Sequence, residues 1–253
     1  MSRIGKIQVN PEFPDAEKFI LSLPERFAGN EGQVIYEGRN TLRKMDFEGR
    51  IYVVKSFHSS PINRLVYGNL RKSKAERSYI NALLLRDLGV PTPCPIGFMD
   101  IRKGANLSES YYVSLMSSCK HIYSELFDKI FDCEDEVIRL IGTAVAKMHS
   151  AGLAHKDLGR GNILFGRLPD GNLGIDIIDL NRMSKGKIGL YSGCKNFERL
   201  PANEHQHRLL AESYAKERGF DADLCFRLMR RYRSVQPAQL EAEGFGDVNA
   251  CKS

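Results

Sequence analysis

Asp157 and Asn162 stand five residues apart in the run His155-Lys156-Asp157-Leu158-Gly159-Arg160-Gly161-Asn162-Ile163-Leu164-Phe165, a glycine-containing loop that enters an apolar strand. Fourteen residues past Phe165 comes Asp179, inside Ile175-Asp176-Ile177-Ile178-Asp179-Leu180-Asn181. Two carboxylates and an amide oxygen spaced in this way can gather around a metal-bound phosphate. Phosphoryl transfer asks for little covalent chemistry from a protein. It needs cations that hold the triphosphate and a carboxylate beside the accepting hydroxyl. Asp157 is the candidate for that carboxylate, and Asn162 and Asp179 are hard oxygen donors suited to Mg²⁺. The plainer reading of Asp157 and Asn162 is loop capping, because Asp-x-x-x-x-Asn alone is a weak signal. The preceding His155, the Ile163-Leu164-Phe165 strand and the later Asp179 together favour the chemical reading. His155 is expected to brace the loop by hydrogen bonding. Asp176 is the rival metal ligand, on the opposite face of its strand and expected to be solvated.

A phosphate site also needs a cation from elsewhere. Lys55 interrupts the apolar run Tyr52-Val53-Val54-Lys55, and Glu76 opens the helix that follows. A carboxylate in that first turn can reach back to the ammonium and hold it on the α- and β-phosphates. The competing reading is a solvated edge lysine, with Glu76 paired to its neighbours Lys74 and Arg77. The turn Gly38-Arg39-Asn40 can cover phosphates with backbone N–H groups, although one glycine makes it an ordinary hairpin turn when taken alone. Met116, at the end of a strand and just before the polar joint Ser117-Ser118-Cys119-Lys120, completes a candidate nucleotide-binding set with Lys55, Gly38, Arg39 and Asn40. Lys156, Arg160 and Arg182 flank the two acids and can neutralise a transferring phosphoryl group or grip an anionic substrate.

The elements that must position these residues are legible in outline. The strands are expected at Gln33 to Glu37, Leu42 to Phe47 and Arg50 to Phe57, the last rich in β-branched and aromatic residues. A basic connector over residues 58–72 leads to a helix over Lys74 to Leu88, ended by Gly89 and Pro91. Two more strands are expected, over Ile96–Ile101 and Tyr111–Met116. A helix is expected over 122–131, and a stronger one from Glu134 to Ala151, with acids leading it and Gly152 stopping it. Short strands near 163–167 and 173–179 flank the turn Pro169-Asp170-Gly171-Asn172. Two basic-faced helices fill about 203–234, and residues 237–253 are expected to be a frayed tail. Residues 1–30, with Pro11, Pro14 and Pro24, read as a polar lead-in. Strands and helices segregate, so the expected class is α+β in two lobes, 1–118 rich in β-structure and 119–253 mainly helical and catalytic.

Composition narrows the function classes. The chain has 253 residues, is 42% hydrophobic and 27% charged, and can therefore bury a core as an ordinary soluble protein. Its six cysteines are scattered with no C-x-x-C pair, so a zinc ribbon is not expected and free thiols in a reducing compartment are. No signal peptide or spanning segment is read, which points to the cytoplasm. The net charge of +6 permits an anionic partner. Two further basic groups, Arg64, Arg71, Lys72, Lys74 and Arg77, and Arg227, Arg230, Arg231 and Arg233, read first as solvated helix faces. Contact with an anionic membrane surface is their alternative. Aromatic residues do not interleave with them as a stacking platform requires, so no nucleic-acid partner is expected. The oligomeric state is not legible.

At Lys55, Glu76, His155-Lys156-Asp157-Leu158, Asn162 and Asp179-Leu180-Asn181 the chain resembles the protein-kinase-like superfamily, over about residues 33 to 182. It departs from eukaryotic protein kinases in several places. The glycine-rich loop is degenerate, Gly159 stands where Ser/Thr kinases carry a lysine, and the metal motif is Asp-Leu-Asn. No Ala-Pro-Glu follows, and 72 residues remain after Asn181. In these respects it resembles the bacterial lipopolysaccharide core kinases, the Kdo/heptose kinase family. That resemblance implies a two-lobed kinase-like fold with an antiparallel β N-lobe carrying one helix and a reduced C-lobe. It implies ATP and Mg²⁺, Asp157 as base, Asn162 and Asp179 as metal ligands, Lys55 with Glu76 as the phosphate clamp, and a sugar-lipid acceptor at the inner membrane surface. The alternatives are a compact atypical protein kinase, of the RIO type or associated with tRNA modification, an antibiotic-type phosphotransferase, and a pseudokinase. The complete set of five residues argues against the last.

Overall fold

The computed structural model describes residues 2–57 and 72–234. The connector up to residue 71, with Arg64 and Arg71, and the tail 237–253 lie outside the described residues. The described chain divides into two compact units. Unit 1 comprises residues up to Arg86, Thr92–Ser117 and the short piece Asp179–Asn181; unit 2 comprises Asp87–Pro91, Ser118–Ile178 and the chain from Arg182 onward.

Unit 1 is built on one antiparallel sheet of six strands: β1 (Ser2–Val9), β2 (Gln33–Glu37), β3 (Asn40–Phe47), β4 (Arg50–Phe57), β5 (Pro95–Lys103) and β6 (Asn106–Leu115). Their spatial order is β1-β5-β6-β4-β3-β2. The sheet is covered on both faces, as the alternation of β5 requires. Met99 enters a core with Phe19, Ile20 and Leu23 of α1 (Ala16–Ala28) and with Tyr52 and Val54 of β4. Its neighbour Phe98 points the other way, into a core with Ala75 and Tyr79 of α2 (Lys74–Asp87) and Phe57 of β4. Successive strand residues face opposite sides, so β5 is buried along most of its length.

The lead-in expected over residues 1–30 is thus a strand and a helix. Ala16, Phe19, Ile20 and Leu23 recur at three and four and are all buried, an apolar stripe partly obscured by Pro24 within the helix. Gly97 is what allows β1 and α1 to approach β5 together. A Cβ there would lie 2.5 Å from the Gln8 carbonyl oxygen and 2.6 Å from Ile20 Cδ1.

Unit 2 is mainly helical. α3 (Glu134–Ser150) packs on α5 (Glu204–Arg218), which packs on α6 (Ala222–Ser234), and the short α4 (Leu190–Lys195) lies between α3 and α5 in the chain. α3 and α5 cross closely at Gly142, where a Cβ would fall 2.0 Å from Ser213 Oγ. α5 opens with a capping box between Asn203 and Gln206 and closes on Gly219 at φ +67°. β9 (Ile163–Arg167) and β10 (Leu173–Ile177) form the expected hairpin, joined by the two-residue β7 (His121–Ile122). β8 (Leu153–His155) pairs with β11 (Met183–Lys185). The helix expected over 122–131 is only a 3-10 turn over Tyr123–Phe127. Glu125 accepts from the Ile122 N–H and pairs with Lys129, which caps a single turn, and Ile130 is left 99% exposed. Apolar residues in that stretch therefore do not make one buried helical face. No helix of the described residues is long and apolar enough to cross a membrane.

Candidate active site

In unit 1 the expected residues are assembled around β4. Lys55 lies on an inner strand, opposite Leu42 of β3 and Tyr112 of β6. Its Nζ is 2.6 Å from Asp179 Oδ1, and its side chain is only 13% exposed. Asp179 adopts φ +61°, a left-handed conformation that costs a non-glycine residue about 1 kcal/mol. The surroundings hold it there. Asn181 Nδ2 donates to Asp179 Oδ1, and Asn81 Nδ2 of α2 donates to the Leu180 carbonyl at 2.7 Å. The Asp-Leu-Asn piece is thus tied to β4 through Asp179 and to α2 through Leu180, with Asn181 bonded back onto Asp179.

The expected Lys55–Glu76 pair is not formed. Glu76, buried in the first turn of α2, takes Lys6 of β1 instead, with Nζ 2.6 Å from Oε1. The register of β1 explains the exchange, since Lys6 stands opposite Asp100 of β5. Asp100 is buried, and burial pushes its carboxyl above the usual carboxylate range; the Ser110 and Ser73 hydroxyls offset this and the Glu76 carboxylate adds to it. The lysine that pairs with Glu76 thus sits on the strand that runs beside a second buried acid. With β1 read as a lead-in, Lys6 carried no signal in the sequence.

The remaining nucleotide-site candidates of unit 1 are placed on the sheet margin. Gly38 and Arg39 form the turn of the β2–β3 hairpin, and Asn40 begins β3. The Gly38 N–H donates to the Asn40 carbonyl at 3.1 Å, so that amide closes the turn itself. Asn40 Oδ1 is buried without a partner. Met116 follows β6 with its side chain 44% exposed and its N–H donating to Ile51 O.

In unit 2 the loop after β8 is braced from below. His155 is fully buried. The Asp157 N–H donates to His155 Nδ1 at 3.1 Å, so Nε2 carries the proton that meets the Ile178 carbonyl at 3.1 Å. This is the bracing role expected of it. Asn162 Nδ2 donates to the Asp157 carbonyl at 2.8 Å, and the Asn162 N–H to Gly159 O. Acid and amide are thereby locked into one turn, with the amide oxygen of Asn162 left as the donor a metal requires. Leu158 is buried and anchors the loop. Asp176, the rival ligand, is half-buried on β10 opposite Leu164.

A second brace runs in from the helices. The Tyr214 hydroxyl lies 3.0 Å from His149 Nδ1, and His149 Nε2 lies 3.0 Å from Asn196 Oδ1. Asn196 Nδ2 then donates to the His155 carbonyl at 2.8 Å. Burial holds the His149 imidazole down to about 4, with Arg218 adding to the effect and the Asn196 hydrogen bond opposing it, so this relay is made by neutral histidine.

The Asp157 carboxylate faces cations on both oxygens. Arg199 Nη1 is 2.7 Å from Oδ1 and Arg182 Nη1 is 3.6 Å from Oδ2. Arg182 is among the cations expected to flank the acids. Arg199 is not, because it lies 42 residues along the chain in an irregular segment with no spacing signal. The segment after α4 brings it there, fixed by Asn196, by buried Phe197 and by the Arg199 carbonyl, which a Cβ on Gly159 would meet at 3.7 Å.

Among the described residues no cluster of three His, Cys, Asp or Glu could hold a metal. Mg²⁺ does not need one. It is commonly held by one or two carboxylates together with substrate phosphates, and the Asp179 carboxylate in unit 1 and the Asn162 amide in unit 2 are each hard oxygen donors of the kind it takes.

Comparison with known proteins bears on the family and the fold. A curated 3-deoxy-D-manno-octulosonic acid kinase from Vibrio parahaemolyticus serotype O3:K6 (strain RIMD 2210633) is 26% identical over 155 residues, 61% of this chain. The match spans 62% of that relative's length. The solved structure of WaaP in complex with acyl carrier protein superposes with a TM-score of 0.63 at 15% identity, covering 96% of this chain and 100% of that one. The fold is therefore the α+β, protein-kinase-like one expected. The model of the lipopolysaccharide kinase (Kdo/WaaP) family matches residues 63–214. With Asp157, Asn162 and the Asp-Leu-Asn residues inside that match, the chain belongs to the lipopolysaccharide kinase (Kdo/WaaP) family.

Proposed function

We propose that this chain is an ATP-dependent kinase that phosphorylates a hydroxyl of an inner-core sugar, Kdo or heptose, on a lipopolysaccharide precursor. The observation that carries the reading is the Lys55–Asp179 ion pair at 2.6 Å. It joins a sheet lysine to the acid of the Asp-Leu-Asn motif, the cation and the carboxylate that the reading assigns to the triphosphate and its metal. A pseudokinase that had lost nucleotide chemistry would be free to lose either partner.

Asp157 takes the proton of the accepting hydroxyl as its oxygen bonds to the γ-phosphorus. The bond from that phosphorus to the β-bridging oxygen breaks, and ADP leaves. Lys55 offers its ammonium to the α- and β-phosphates. Glu76, with Lys6, fixes the start of α2, from which Asn81 holds Leu180 and so orients Asp179. Asn162 and Asp179 are the proposed Mg²⁺ ligands. When bound, the ion neutralises charge on the triphosphate. Gly38, Arg39, Asn40 and Met116 are assigned to nucleotide contact. The lipid-borne acceptor calls for work at the cytoplasmic face of the inner membrane, reached without a spanning helix in the described residues.

The test supplies purified protein with labelled ATP, Mg²⁺ and a Kdo–lipid A acceptor, with generic protein substrates in parallel. Label in the lipid supports the reading. Label confined to protein favours an atypical protein kinase, and label in neither favours a pseudokinase.

A further inference from the structure

Both oxygens of Asp157 meet a guanidinium, Arg199 on Oδ1 and Arg182 on Oδ2. An acceptor hydroxyl that gives its proton to this carboxylate must hydrogen-bond to one of the same two oxygens. The sugar that carries it then has an arginine as its immediate neighbour on either side. The two side chains are open to solvent, 41% exposed for Arg199 and 56% for Arg182, so an incoming molecule can reach them. The backbone on both sides is fixed. The Arg182 carbonyl accepts the Lys156 N–H at 2.8 Å, and the Arg199 segment is tied to the loop through Asn196. Two more cations, Lys156 and Arg160, lie in the loop itself, where Asp157 is the one acid between His155 and Asn162.

We infer that Arg199 and Arg182 form an acceptor subsite for an anionic oxygen group carried close to the hydroxyl that is phosphorylated. A guanidinium presents a planar fork of N–H donors that matches a carboxylate or a phosphate, and it is worth most where it binds both oxygens. The carboxylate of a sugar acid meets the requirement best, because it sits on the same ring as the hydroxyl. The subsite then selects an acidic sugar over a neutral heptose, which narrows the proposed acceptor and rests on the kinase reading above. In the free protein the Asp157 carboxylate pairs with both guanidinium groups. On binding, the acceptor's anion takes the guanidinium and its hydroxyl takes the Asp157 oxygen.

The experiment compares kcat/KM for three acceptors: Kdo–lipid A, the same molecule with its sugar carboxylates esterified, and the same molecule with its lipid phosphates removed. Wild type and the variants Arg199→Ala, Arg199→Lys and Arg182→Ala are each assayed, and KM for ATP is measured alongside. Wild type is expected to lose at least about tenfold on esterification, the low end for a charged hydrogen bond. Dephosphorylation is expected to change it less than about twofold. Arg199→Ala is expected to raise the acceptor KM by a similar factor, to leave KM for ATP unchanged, and to treat acid and ester alike. A loss on dephosphorylation in place of esterification, abolished in the same variant, supports the anion subsite with phosphate as its ligand. Wild-type rates equal on all three acceptors overturn the inference and leave the kinase reading intact. An equal loss of kcat for every acceptor in Arg199→Ala also overturns it, since the arginine then serves the transferring phosphoryl group or the loop. No labelled lipid with any acceptor removes the kinase reading and the subsite with it.

Discussion

Lys6 Nζ lies 2.6 Å from Glu76 Oε1, so the buried acid at the start of α2 is neutralised by the edge strand β1 and not by Lys55. Glu76 has a side chain 8% exposed and has Asp100 as a second acidic neighbour. Removing the lysine strands the Glu76 carboxylate in a poorly solvated place beside another acid. Breaking a fully buried pair costs about 3–5 kcal/mol, and the half-exposed lysine reduces that to about 1–2 kcal/mol here. Lys6→Met is expected to lower the urea midpoint accordingly, with Lys6→Arg close to wild type. Equal midpoints for all three would show that the pair contributes nothing to stability.

Lys55 is the proposed cation of the nucleotide site, and it is paired with Asp179 at 2.6 Å. Lys55→Ala is expected to reduce kcat/KM for ATP by about 10²–10³, as loss of a preorganised electrostatic contact does. The fold should survive, because the side chain lies at the margin of the core and Asp179 keeps its bond from Asn181. Steady-state kinetics with varied ATP, alongside a thermal melt, checks both parts. Full activity in Lys55→Ala would remove it from the site.

The relay from Tyr214 through His149 and Asn196 to the catalytic loop requires neutral His149. Its folded value is about 4 against an ordinary 6.5, so between those values the unfolded chain binds a proton that the native state does not. Stability from this group is complete above about pH 6.5 and is lost as pH falls from 6.5 toward 4. The loss reaches about 3 kcal/mol at about 1.4 kcal/mol per pH unit. His207, also lowered by burial, acts in the same direction. Denaturation curves at pH 7, 5.5 and 4.5 are expected to show this slope in wild type and a shallower one in His149→Gln. Parallel slopes would contradict the assignment.

Gly142→Ala tests the crossing of α3 and α5. Its Cβ would lie 2.0 Å from Ser213 Oγ and 2.9 Å from the Leu210 carbonyl, and the second atom is backbone that cannot rotate away. Overpacking of this kind costs about 1–3 kcal/mol. A fall in Tm is expected, partly restored by Ser213→Gly, which removes the hydroxyl. A Tm equal to wild type would mean that the helices separate freely.

The strands β2 to β6, the helices α2, α3, α5 and α6 and the β9–β10 hairpin were legible because each announces itself locally, by alternation, by a stripe or by its caps. The Asp157–Asn162 turn was legible for the same reason, since five residues fix it. The partners of these residues were not. Glu76 could be assigned to Lys55 only by spacing, and the edge strand that competes for it hides among prolines in a polar stretch. Arg199 reaches Asp157 through a segment with no periodicity, placed there by Phe197 and Asn196. Short elements such as β8, β11 and α4 owe their form to long-range pairing, which no local pattern reports.

The central claim is that Asp157 accepts the proton of a sugar hydroxyl while phosphate passes from ATP. The most direct measurement is transfer of the γ-phosphate of labelled ATP to Kdo–lipid A by wild type and Asp157→Asn, at matched folding by thermal melt. The account predicts labelled lipid with wild type and a rate lower by about 10²–10⁴ in the variant. Undiminished transfer by Asp157→Asn would contradict it.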